Sequence, residues 1–109
     1  MNERTLPTSS VDFAKALADE TRQKVMRLCC CNWLTVNEIV EKLGNVTQPT
    51  VSHHLAVLRA AGLVSTRSEG KHTFYTLNQG HLAVCCGRLI VGFAPETDAA
   101  GALKDTLDS

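Results

Sequence analysis

No run of about 18 or more apolar residues occurs in this 109-residue sequence, which excludes an ordinary transmembrane helix. The first ten residues, MNERTLPTSS, lack the apolar centre of a secretory signal, so a cytoplasmic location is expected. Net charge is also missing. Eleven basic side chains stand against 11 acidic ones, which excludes a binder that is basic over its whole surface. There is no internal repeat and no low-complexity segment. There is no phosphate-binding loop, no Cys-x-x-Cys after a strand and no βαβ pattern, so a small thiol enzyme finds little support. The length suits one compact domain and is too short for two ordinary ones.

What is present is a globular balance, with 44% apolar and 20% charged residues. The charge is unevenly spread. Residues 46–94 hold Arg59, Arg67, Lys71 and Arg88 against a single acid, Glu69, and also His53, His54 and His72. Residues 95–109 hold Lys104 against Glu96, Asp98, Asp105 and Asp108. A basic middle of this kind suits a phosphate-facing patch; the bland alternative is scatter in a small sample. The five cysteines, an odd number, argue against a disulfide framework and leave metal binding, redox chemistry or burial.

Helix signals are local and clear. Ser9-Ser10 precedes Val11, Phe13, Ala14 and Leu17 in an amphipathic spacing. Asp19 caps a second helix, from Glu20 to about Cys30, with Val25, Leu28 and Cys29 on its inner face. Thr35 and Glu38 have capping-box spacing ahead of Ile39, Val40 and Leu43, and Gly44 suits the helix end. Thr47 opens the next helix, where Pro49 is tolerated in the first turn and Val51, Leu55 and Leu58 recur at helical spacing. A short helix, a tight turn and a second helix with a polar outer face is a helix-turn-helix pattern. Residues 63–67 and 72–77 have strand composition and flank Ser68-Glu69-Gly70-Lys71, which predicts a hairpin, or wing. A last helix over roughly 79–93 carries the apolar stripe Leu82, Cys85, Cys86, Leu89, Ile90 and Phe93. The expected fold is mainly α with a β-hairpin wing. Residues 1–94 form the domain, and 95–109 form an acidic, flexible tail or a weak extra helix.

LADETRQKVMRL (17–28), LTVNEIVEKLG (34–44), TQPTVSHHLAVLRAAGLV (47–64) and EGKHTFYTLN (69–78) resemble the ArsR/SmtB family of winged helix-turn-helix repressors. The resemblance covers roughly residues 11–93. It implies a homodimeric transcriptional repressor, dimerising through its first and last helices, that sits on double-stranded operator DNA and leaves when an inducer binds. Gln48, Thr50, Ser52, His53 and His54 are then the expected groove-facing residues, since Gln pairs with adenine and Ser, Thr and His read base edges or phosphates. Arg67, Lys71 and His72 on the wing are expected at phosphate or the minor groove. The alternatives are a packing role for His54 beside Leu55 and Leu58, and a solvated turn for Lys71.

The family's usual Cys-x-Cys arsenic motif is replaced here by Val36-Asn37-Glu38. Its zinc site is also incomplete, with Gln79 and His81 at one end of the last helix but Gly92 and Pro95 at the other. The cysteines fall in two short runs instead, Cys29-Cys30-Cys31 and Cys85-Cys86. Adjacent helical residues point about 100° apart, so the first run can converge only if the helix ends within it. All five are candidate ligands of a soft, thiolate-only site. Such a site favours trivalent arsenic, Cd, Pb or Hg, and accepts Zn. The alternatives are an inter-helix disulfide or persulfide link, and simple burial of small hydrophobic residues.

Overall fold

The computed structural model describes residues 8–107. Residues 1–7 of the segment read for a leader, and Asp108 of the acidic tail, lie outside that range. In chain order the elements are α1 (Ser10–Leu17), α2 (Glu20–Cys29), α3 (Val36–Leu43) and α4 (Gln48–Ala60). These are followed by β1 (Val64–Glu69), β2 (His72–Leu77), α5 (Gln79–Phe93) and α6 (Asp98–Leu107).

The helices begin where the capping residues stand. Ser9 accepts from the Asp12 amide at 3.0 Å, and Asp19 accepts from the Arg22 amide at 2.8 Å. At α3 both halves of the capping box close, with Thr35 Oγ1 accepting from Glu38 N at 3.1 Å and Glu38 Oε1 from Thr35 N at 2.8 Å. Gly44 ends α3 with φ 82°, a conformation that costs glycine nothing. Thr47 caps α4 with Pro49 in its first turn, and Asn78 caps α5 by accepting from His81 N.

One core joins α1 to α5 and the hairpin. Phe13, Val25, Cys29, Ile39, Val51, Leu55, Leu58 and Leu63 are fully buried within it, and Cys85 is nearly so. α3 and α4 form the helix-turn-helix, and β1 and β2 pair antiparallel from Val64↔Leu77 to Glu69↔His72. The hairpin loop is shorter than its sequence suggested. Ser68 and Glu69 are in the ladder, and only Gly70 and Lys71 turn. Gly70, with φ 60° at the first of two loop positions, is what a II′ hairpin turn requires.

One feature was not anticipated. Leu34 bridges Tyr75 through paired backbone hydrogen bonds of 2.9 and 2.8 Å, so the segment after α2 forms a rudimentary third strand against the wing. The segment after residue 94, read as a flexible tail or a weak extra helix, is helical over Asp98–Leu107, and Ala100 is fully buried. Thr97 Oγ1 accepts from Ala100 N at 3.2 Å, which starts that helix as a side-chain cap does.

Candidate nucleic-acid interface and thiol site

The buried stripe of α4 is Val51, His54, Leu55 and Leu58, so its opposite face carries Gln48, Ser52, His53, Ala56 and Arg59, all exposed. Thr50 is exposed beside the cap, its hydroxyl 3.0 Å from that of Thr47. Four of the five α4 candidates therefore stand on accessible surface. Arg59 shares that surface and borders the groove between α4 and Tyr75 of the wing. It was missing from the expected set, although its position seven residues after Ser52 places it two turns along the same face.

His54 is the exception. It is 8% exposed and holds α2 against α4 rather than facing outward. Arg22 explains why. Its guanidinium donates to the Ala16 and Lys15 carbonyls at 2.8 and 3.3 Å and lies 3.1 Å from His54 Nδ1. A guanidinium can only donate, so Nδ1 is the acceptor and the proton sits on Nε2, which faces Asp19 Oδ1 at 3.9 Å. Burial pulls the imidazole below its ordinary pKa; Asp19 opposes this and Arg22 reinforces it. The Asp19 carboxyl is itself held low, chiefly by the Arg22 amide it caps.

On the wing, Lys71 and His72 are exposed at the hairpin tip. Arg67 is exposed but engaged. Its Nε lies 3.0 Å from Glu69 Oε2, and its guanidinium stacks 4.5 Å above the Trp33 ring. A phosphate approaching Arg67 must compete with that carboxylate.

The cysteines divide into two groups. Cys29 ends α2 inside the core, where burial pushes its thiol up to about 11. Cys85 is also buried, and its thiol is raised by desolvation. Its Sγ lies 3.6 Å from His81 Nε2. That nitrogen is also 3.1 Å from the Ala61 carbonyl, an acceptor only, so it carries the ring proton. Cys86 is half-buried on α5.

Cys30 and Cys31, by contrast, are exposed, with their Sγ atoms 3.7 Å apart. The helix stops between Cys29 and Cys30, and Cys31 adopts φ 69°, the one non-glycine residue with positive φ among those described. That left-handed backbone is unfavourable for a side chain, and here it accompanies the meeting of two neighbouring thiols. Gln79 Nε2 donates to Cys31 Sγ at 3.3 Å and reaches Cys30 Sγ at 3.9 Å. The expectation of one five-thiol cluster therefore does not hold within a protomer. Among the described residues no three Cys, His, Asp or Glu side chains are grouped to hold a metal ion. The reason is the helix end: it sends Cys29 inward and its two successors outward. A tetrahedral ion with sulfur bonds of about 2.3 Å spaces two ligands about 3.8 Å apart, which the Cys30–Cys31 pair meets. The donor set thus fits half of a soft-ion site.

Two packed helices with a polar recognition face, followed by a hairpin wing, define a winged helix-turn-helix protein. Residues 19–66 match the family model described as bacterial regulatory protein, arsR family. The HTH-type transcriptional regulator CmtR of Mycobacterium tuberculosis is 36% identical over 87 residues, covering 79% of this chain and 73% of that protein. A probable mercury resistance operon repressor of Streptomyces lividans is 38% identical over 79 residues, covering 72% of this chain and 62% of that one. The solved structure of reduced HlyU from Vibrio cholerae shares 35% identity at a TM-score of 0.61, covering 78% of this chain and 87% of that one. The chain spans as little as 55% of the length of the curated relatives it matches. It belongs to the ArsR family, whose members are transcriptional regulators and not enzymes. No described helix is long and apolar enough to cross a membrane.

Proposed function

We propose that this chain is a homodimeric, operator-binding transcriptional repressor, released from DNA when a soft thiophilic species is captured by its exposed cysteines. Trivalent arsenic is the first candidate, and Cd, Pb, Hg or Zn the others. The observation that carries this reading is the pair of exposed thiols 3.7 Å apart at the end of α2, in contact with the start of α5. Two sulfurs held at chelating distance at a protein surface serve capture better than packing. A relative is named as a mercury resistance operon repressor, which supports a soft ion as trigger. Gln48, Thr50, Ser52, His53, Lys71 and His72 form the DNA-facing set, with Arg59 added and His54 acting behind it. Dimerisation through α1 and α5 is supported by Val11 and Phe93, which are 63% and 84% exposed on those helices. Both are apolar side chains free to enter such a seam.

The second reading is a redox or persulfide switch at the same thiols, supported by a relative whose structure is described as its reduced form. One experiment separates the two. Fluorescence anisotropy of the protein on duplex DNA from its own upstream region is followed with arsenite, Cd(II), Hg(II), hydrogen peroxide and polysulfide in parallel. Release by the ions under reducing conditions, lost in Cys30→Ser and Cys31→Ser, is the expected outcome. Release by peroxide or polysulfide alone replaces it with the redox reading, and absence of any duplex binding overturns the repressor reading.

A further inference from the structure

A groove of about 370 Å³ runs between α2 and α3, lined by Lys24, Arg27 and Leu28 from one helix and Lys42 and Leu43 from the other. The two leucines are half-buried and the three cations exposed. No acid lines the groove. None of the three cations forms an ion pair among the described residues, where the ion pairs are His54–Asp19 and Arg67–Glu69. Glu38, one turn before Lys42, is turned back onto the Thr35 amide at 2.8 Å. The groove thus offers a cationic rim over an apolar floor. A phosphate backbone would use the rim and leave the leucines without a partner. An acidic helix that comes close enough to cover them uses both.

The chain itself carries such a helix. α6 packs against α5 with Ala100 buried. Asp98, Gly101, Ala102 and Asp105 recur at i, i+3, i+4 and i+7 on its opposite side, and all four are exposed. The two aspartates stand two turns, about 10.5 Å, apart along the axis. Between them the surface is bare: a Cβ at Gly101 would meet nothing within 4 Å. Small residues there let the helix approach leucine side chains while its aspartates reach the rim. Glu96 adds a third exposed acid just before the helix. Within a protomer no α6 residue lines the groove.

We propose that the α2–α3 groove receives the acidic face of α6 from a second copy, in a neighbouring dimer on the same duplex. This rests on the reading of the chain as an operator-binding dimer. Exposed ion pairs are individually weak, so the contact matters where DNA already holds two dimers side by side and raises their effective concentration. Groove and helix face are different surfaces of one chain, so the contact is head-to-tail and can repeat along DNA.

The test measures the full chain on duplexes carrying one or two copies of the upstream segment it binds, over a series of spacings. At a favoured spacing the second dimer should bind several-fold more tightly than the first, and raised salt should remove the gain. Lys24→Glu with Lys42→Glu should abolish it, as should Glu96→Lys with Asp105→Lys, and a mixture of the two variants should restore it. All four positions are exposed. The milder Lys24→Gln with Lys42→Gln should reduce the gain, and urea midpoints check that each variant is folded. Independent binding at every spacing overturns the proposal, as does failure of the mixture to restore the gain. A weaker single-copy affinity with a shallower salt slope, in the groove variants alone, assigns the groove to DNA phosphates and overturns it. A single-copy loss shared by both reversed variants places the contact inside one dimer and also overturns it. Absence of duplex binding by the unaltered chain overturns the operator-binding reading, and this inference with it.

Discussion

Gln79 and Cys31 lie 48 positions apart in sequence, yet the Gln79 amide donates to the Cys31 sulfur at 3.3 Å. The first residue of α5 is thereby joined to the loop that leaves α2. The contact gives a thiol event a direct route to the helix assigned to the dimer seam. Gln79→Ala is expected to leave the stoichiometry of capture intact while weakening its effect on DNA. Allosteric couplings are typically about 1–3 kcal/mol, so losing this contact should reduce the inducer-driven change in DNA affinity several-fold. Parallel titrations of thiols and of operator release check this. An unchanged coupling would show that the signal leaves the loop by another path.

The surface of α4 and the wing makes a second set of expectations. Arg59→Ala and Lys71→Ala should weaken binding to every duplex alike, and each should lower the slope of log affinity against log salt by about one. Arg67→Ala should do less, because Glu69 already engages that guanidinium at 3.0 Å. Gln48→Ala should instead cost about 1–3 kcal/mol on the preferred operator and relax base choice there. Affinities across a salt series, on matched and mismatched duplexes, distinguish the two behaviours.

His54 predicts a pH dependence of stability. Burial lowers its pKa in the folded state below the ordinary 6.5, so the unfolded chain binds more protons in the window beneath that value. The contribution from the neutral imidazole is full above about pH 7 and is lost as pH falls below about 6.5 toward the folded-state pKa. His54→Gln should flatten this part of the profile, read from urea midpoints between pH 7.5 and 5.5. Asp19, also lowered, acts in the same direction but in a separate window beneath its ordinary 3.8.

Gly62 offers a test of packing. Its φ is 75°, and a Cβ there would stand 2.9 Å from His81 Nε2. Gly62→Ala should cost about 1–2 kcal/mol for the left-handed backbone alone, and more for displacing the ring. Adding His81→Ala should recover the packing part and leave the backbone part. Urea unfolding of the single and double variants measures both.

Most of the helices could be read from sequence because their signals are local: Asp19, Thr35 and Thr47 each cap within three residues of the amides they satisfy. The wing was legible for the same reason, though its loop length was set by cross-strand register. His53 and His54 show where local reading stops. They are chemically identical neighbours about 100° apart on one helix, and which one is buried depends on Asp19 and Arg22 docking from α2. The three cysteines at 29–31 pose the same problem, since their fates turn on the residue at which the helix ends. α6 was missed as a definite element because Ala and Gly leave a faint periodicity, although Thr97 was there as its start signal.

The loop between α2 and α3 is fastened to β2 on both sides of the cysteine pair. Thr76 Oγ1 donates to the Cys29 carbonyl at 3.1 Å before it, and Leu34 exchanges two backbone hydrogen bonds with Tyr75 after it. Short links at both ends leave little slack between the loop and the hairpin. A displacement of the loop at the thiols is therefore expected to pass through β2 toward Lys71 at the hairpin tip.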